Sequence, residues 1–255
     1  MKILGMDSSG LVASVAVVED GVLLAEYTTD YKKTHSQTLL PMLDEIKRMI
    51  DLDMGTIDAI ATSAGPGSFT GLRIGAATVK GLGLALNKPI VEVSTLEGLA
   101  WNLWGTDRVV CPLMDARRNQ VYTAAYEFVP TDKPVGKASV AGDETTQSEK
   151  SAELSLCTLI PQEAMDVVEM IEKLNALQRP VVFLGDGVPV YEGLIKTHCK
   201  VPYLFAPAGK NRQRAASVAA LGAVYYAHGQ KVTAAEHQPI YLRKSQAERE
   251  AEAKA

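Results

Sequence analysis

Apolar positions near the start of the chain come in short unbroken runs punctuated by turn residues. Residues 2–6 (KILGM) predict a short buried strand, closed by the turn DSSG at 7–10. A β-rich run at 11–18 (LVASVAVV), the hairpin signal EDG at 19–21 and a third run at 22–29 (VLLAEYTT) follow. Strands joined by turns this short must be largely antiparallel, because parallel neighbours need long crossovers. The period then changes: Leu39, Leu40, Leu43, Ile46 and Ile50 recur at helical spacing. Pro41 falls inside that repeat, so the regular helix either starts near it or bends there. Residues 57–63 predict a strand, AGPGSFTG at 64–71 a loop, and 70–86 a second helix. That helix carries Gly71, Gly75, Gly81 and Gly83. Glycine weakens a helix, so this many predicts close backbone packing. Residues 89–93 predict a further strand, and Ser94 with Glu97 a capping box for the helix after it.

The pattern then partly restarts. RVVCPLM at 108–114 predicts a strand, DARRNQ a turn and VYTAAYEF at 121–128 a second β-rich run. The polar stretch 130–153 reads as loops, and 161–178 as a helix with Pro161 near its start. A strand at 180–185, a GDG turn, a short helix at 188–196, a strand at 201–205 and a helix at 211–229 complete the pattern. The charged end, QAEREAEAKA, is expected to fray. Both halves open as strand, Asp-containing turn, strand, and the two turns share Met-Asp in MDSSG and MDARR. The expectation is an α/β chain of two related lobes. They would be 1–105 and 106–230, the last helix of the second packing back on the first, with a tail at 231–255. The boundary is expected near Trp104–Asp107.

Composition narrows the reading. A chain of 255 residues with 47% hydrophobic and 22% charged residues can bury a sizeable core. With four Phe and two Trp, that core must be mostly aliphatic. The net charge of -4 gives no general attraction to RNA or DNA, so nucleic-acid binding by this chain alone is not expected. Cys111, Cys157 and Cys199 are scattered and form neither a metal motif nor a disulfide framework, which fits a reducing compartment. The start reaches Asp7 before any long apolar run, and no segment reads as a membrane span, so a cytoplasmic protein is expected.

Candidate chemistry is sparse. Asp7, Ser8, Ser9 and Gly10 could hold a nucleotide phosphate, yet the same residues make an ordinary Asx turn. No Walker-type GxxxxGK[ST] occurs. Gly65, Gly67 and Gly71 could bring backbone and a helix N-terminus close to an anion, with Arg73 and Lys80 adding charge. They could equally form a tight turn into a helix that packs on a partner subunit, with Phe69 at a loop tip as a contact anchor. Asp115, Arg117 and Arg118 read as a salt-bridged turn or partner rim rather than an acid and clamp. Gly185, after a strand, could face a cleft between lobes, although GDG is usually just a turn. His35 alone makes a poor metal site. No G-x-S-x-G elbow supports a serine hydrolase.

MDSSG at 6–10, THSQTLLPML at 34–43, AGPGSFTGLRIG at 64–75, MDARRNQVYTAAY at 114–126 and PIYLRKSQAE at 239–248 resemble motifs of the TsaB (YeaZ) family. The resemblance implies the two-lobed actin-like, sugar-kinase-like ATPase (ASKHA) fold. It also implies a non-catalytic scaffold role in placing threonylcarbamoyl on the adenosine beside the anticodon of tRNA. In the related catalytic TsaD, an HxxxH pair binds metal. Here His35 stands first and Leu39 takes the second position, so the resemblance implies no metal site and no catalytic residue of its own. It implies pairing with a TsaD-like catalytic subunit, a TsaE-like ATPase joining the complex, self-association as a homodimer, and contact with tRNA only through the complex. The pairing surface would include helices 35–50 and 70–86, with Phe69, Leu72, Gly75, Ala76, Val79 and Gly83 at the contact and Thr78 and Lys80 tuning it. The isolated subunit needs no cofactor, with room left for weak ATP or ADP binding at Asp7, Ser8, Ser9 and Gly185. The competing readings are an active kinase of the same fold, an M22-like metallopeptidase, which the missing ligands oppose, and an oligomeric interaction protein outside tRNA modification.

Overall fold

The computed structural model describes residues 1–31, 34–131 and 153–243. Strands β1 (Lys2–Asp7), β2 (Val12–Glu19), β3 (Val22–Asp30), β4 (Ala59–Gly65) and β5 (Ile90–Ser94) form one sheet in the order β3-β2-β1-β4-β5. Strands β6 (Val109–Asp115), β7 (Gln120–Thr131), β8 (Glu153–Asp166), β9 (Val181–Leu184) and β10 (Tyr203–Phe205) form a second, in the order β8-β7-β6-β9-β10. The two orders are the same. In each sheet the first three strands are antiparallel; the short turns of β1–β2, β2–β3 and β6–β7 require it for those pairs. The last two run parallel to the first and are reached through helices. Helices α1 (His35–Met49) and α2 (Phe69–Leu86) make these crossovers in the first lobe. Helix α3 (Thr95–Trp101) follows β5; α4 (Val167–Leu177) and α5 (Gly187–His198) make the crossovers of the second lobe, and α6 (Ala215–Ala227) follows β10. This is the arrangement of two related α/β lobes that the repeated hairpin openings predict, and it agrees with the actin-like fold that the family resemblance implies.

Burial explains the unbroken apolar runs. Leu4, Met6, Val15 and Val17 point into a core shared with Leu39, Leu43 and Ile46 of α1 and Val79 of α2. Ile3, Ala59, Ala61, Val91 and Val93 form a second core with Val218, Ala219 and Leu221 of α6. Covered on both faces, these strands have no reason to alternate. Helix α6 lies so close that a side chain on Gly5 or Gly222 would overlap Ala215 or Ala61. Helix α3 reaches the other way: Leu96, Leu99 and Ala100 pack with Val110, Met114, Val182 and Leu184 of the second sheet.

Four local expectations change. Helix α1 runs unbroken from His35 through Pro41. Helix α6 starts at Ala215 rather than 211, because Arg214 is still extended. The helix expected over 161–178 begins only at Val167, where Asp166 caps it by accepting the Val168 N–H at 2.8 Å. Residues up to Asp166 instead pair along β7, from Gln120 opposite Asp166 to Thr131 opposite Glu153. Pro161 sits where that register shifts, on an outer strand, a place that tolerates the missing N–H. Half of the expected capping box forms: Glu97 accepts from the Ser94 backbone, while the Ser94 hydroxyl goes to Gln162 at 2.8 Å. The bulk of the polar stretch expected as loops, and the charged end QAEREAEAKA, lie outside the described residues. Residues 232–240 run back over the first lobe, and Arg243 reaches the β6–β7 turn of the second. Among the described residues, no helix is long and apolar enough to cross a membrane.

Candidate functional site

The β1–β2 turn is closed over by its own chain. Asp7 ends a strand flanked by β2 and β4, and is 2% exposed. Its Oδ1 accepts the Ser9 N–H at 2.8 Å and the Ser9 hydroxyl at 2.7 Å, and the Ser63 hydroxyl of β4 donates to Oδ2. Burial pushes the Asp7 carboxyl above the usual carboxylate range, against the pull of these donors and of His35. The Ser8 hydroxyl donates to the Gly71 carbonyl at 2.9 Å, and the Ser9 carbonyl accepts the Ser68 N–H at 2.6 Å. Ser68 caps α2 by accepting the Gly71 N–H at 3.3 Å. A side chain on Gly67 or Gly71 would overlap the Ser9 or Ser8 carbonyl. The first turn of α2 therefore sits on the turn that was a candidate phosphate cradle. His35, first residue of α1, is bonded through Nε2 to the Gly10 carbonyl at 2.8 Å, while Leu39 is buried in the first core.

Gly185 is not joined to that turn. It has a φ of +104° and lies against Leu113, which suits glycine. Its carbonyl accepts from Arg212, whose Nε donates to Asp30 of β3, each at 3.3 Å. Arg212 thus ties the two lobes together. Beside it Phe183, Val188, Pro189, Glu192, Phe205 and Asn211 line a cavity of about 180 Å³. Sites for small molecules are usually roughly 300–1,000 Å³. The second turn is locally satisfied: Arg117 pairs with Asp115 at 3.3 Å, and the Tyr191 hydroxyl donates to Asp115 at 2.8 Å. Burial and Asp115 push the Tyr191 hydroxyl up to about 12. Burial also raises Asp186, with the Asp115 N–H and Arg212 opposing it. Among the described residues no group of three His, Cys, Asp or Glu side chains could hold a metal ion.

The expected contact residues of α2 need correction. Leu72, Gly75, Ala76, Val79 and Gly83 are buried within this chain. Gly75 lies against the Ser8 hydroxyl and Gly83 against Lys88 and Ala234, so these glycines serve packing inside the lobe. Phe69 is the first residue of the helix rather than a loop tip, between Tyr241 (centroids 4.8 Å apart) and Arg73 (4.0 Å above its ring). The outward stripe is Thr70, Arg73, Ala77, Gly81 and Leu84, with Leu84 70% exposed. Thr78 is spent on the Ile74 carbonyl at 2.8 Å. A side chain on Gly81 would meet open space.

The sequence reading missed Ser63, since a lone serine in a strand carries no signal. It missed Arg212 and the packed end of the chain as well. The motif PIYLR at 239–243 was the available clue to the latter.

Comparison with known proteins follows the same lines. Residues 22–251 match the family described as TsaD, tRNA N6-adenosine threonylcarbamoyltransferase. The tRNA threonylcarbamoyladenosine biosynthesis protein TsaB of Bacillus subtilis (strain 168) is 30% identical over 250 residues, covering 97% of this chain and 96% of that protein. Its counterpart in Haemophilus influenzae is 28% identical over 249 residues, covering 95% and 94%. Among solved structures, YeaZ from Pseudomonas aeruginosa superposes with a TM-score of 0.70 at 25% identity, covering 94% of this chain and 100% of that one.

Proposed function

The chain belongs to the TsaB family of tRNA threonylcarbamoyladenosine biosynthesis proteins, and from that premise we propose that the outward stripe of α2 is where it meets a TsaD-like subunit. Its role is that of a non-catalytic partner in this tRNA modification. The carrying observation is the division of α2 into two faces. One packs wholly inside the chain, while Ala77, Gly81 and Leu84 lie open along the other. Small residues let a partner helix approach closely, and Leu84 supplies apolar area for burial. A second copy of the chain can use the same stripe. A TsaE-like ATPase joins the assembly, tRNA is reached only through it, and the work takes place in the cytoplasm. The closed turn at Asp7, Ser8 and Ser9 supports a scaffold better than a kinase.

The test is capture of the TsaD-like subunit from the same cell by the wild-type chain and by Leu84→Arg. Wild type retains the subunit, and the variant loses about tenfold or more of its affinity, as expected for an interface anchor. Equal capture by both would remove the stripe from the interface.

A further inference from the structure

The last described stretch of the chain contacts α2 at both ends and then crosses to the other lobe. Val232 exchanges two backbone hydrogen bonds with Ile90 of β5, each 2.9 Å. Ala234 is buried against Gly83 near the C-terminal end of α2. His237, 1% exposed, is bonded through Nδ1 to Glu92 at 2.6 Å, and the Gln238 N–H reaches the same carboxylate at 3.2 Å. The Ile240 N–H donates to the Ala64 carbonyl at 2.6 Å, and Tyr241 lies against Phe69 at the N-terminal end of α2. Arg243 then donates to the Ala116 carbonyl at 2.7 Å. Ala116 belongs to the β6–β7 turn, where Arg117, Arg118 and Asn119 are all held at positive φ, between 57° and 65°. Three such residues in a row are held only where surrounding contacts impose them.

We infer that residues 232–243 act as a clasp that fixes α2 at its two ends and couples it to the β6–β7 turn of the second lobe. The inference rests on the proposed use of α2 as the partner helix. It adds that docking on α2 is felt at a turn in the other lobe, through Tyr241 and Arg243. The physical basis is a continuous set of contacts from Phe69 to Tyr241, and from Arg243 to Ala116. Each anchor is one side chain near the surface, so removing it leaves both cores intact.

The experiment is amide hydrogen exchange on the full chain, comparing wild type with Tyr241→Ala and Arg243→Ala. The readouts are peptides covering 66–76 and 115–121. A clasp makes each variant act on the far lobe: Tyr241→Ala speeds exchange at 115–121 by about fivefold, and Arg243→Ala does the same at 66–76. A variant that loosens only its own contact, leaving the far peptide at the wild-type rate, overturns the clasp. Global loss of protection would signal unfolding, and the conservative Tyr241→Phe and Arg243→Lys then carry the test. Tyr241→Phe keeps the ring contact and retains wild-type exchange at 115–121; faster exchange there would also overturn the clasp. Capture of the TsaD-like subunit by Leu84→Arg is scored separately, so failure of the docking face and failure of the clasp give different results.

Discussion

The Ser8 hydroxyl lies directly over the Cα of Gly75, so that a Cβ at Gly75 would overlap it. The β1–β2 turn and α2 are thereby locked together. Gly75→Leu is expected to destabilise the chain by about 1–3 kcal/mol, the usual cost of overpacking. Thermal or denaturant unfolding measures it, and stability equal to wild type would contradict the packing described.

Gly81 is the counter-case on the same helix, with open space beyond its Cα. Gly81→Ala should stabilise α2 by roughly 0.5–1 kcal/mol, since alanine loses less backbone entropy in a helix. Gly81→Leu should keep a folded chain yet weaken capture of the TsaD-like subunit by holding the partner away. Circular dichroism with a binding titration separates the two effects.

Ser63 donates to the buried Asp7 carboxylate. Ser63→Ala is expected to cost about 1–3 kcal/mol, the price of a buried polar group left short of a partner. The cost should depend on pH. Burial raises the Asp7 carboxyl in the folded chain. Its contribution is therefore full below the ordinary carboxylate range and is lost as pH rises through the raised value. Removing a donor widens that gap, so Ser63→Ala should be more damaging at neutral than at mildly acidic pH. Asp7→Asn should flatten this part of the pH profile.

Glu97 of α3 makes a similar test where α3 meets α6. Its carboxyl is raised by burial, with the Tyr225 hydroxyl, 2.9 Å away, and the Ser94 N–H opposing the shift. The sign is the same: stability from this group falls as pH rises above the carboxylate range. Glu97→Gln keeps an acceptor for Tyr225 and removes the charge. It should raise stability at neutral pH and have little effect in acid; unfolding midpoints at the two pH values decide it.

Legible in the residues alone are the order of the elements outside β8, the antiparallel hairpin that opens each lobe and the partial repeat. These follow from short turns and local periods, which act within a few residues. The sequence also determined that Leu39 cannot stand as a metal ligand, because a side chain's chemistry needs no fold. Which face of α2 is inside depends on long-range contacts. That helix is apolar or small nearly all round, so its period does not tell inner from outer. Ser8 and Ala234, packed against it from distant parts of the chain, make the choice. The same holds for β8, where pairing along β7 overrode a helical pattern at 161–166. It holds too for the closed Asp7 turn and for residues 232–243. Their contacts join positions far apart in sequence, and burial and hydrogen bonding between those positions fix them.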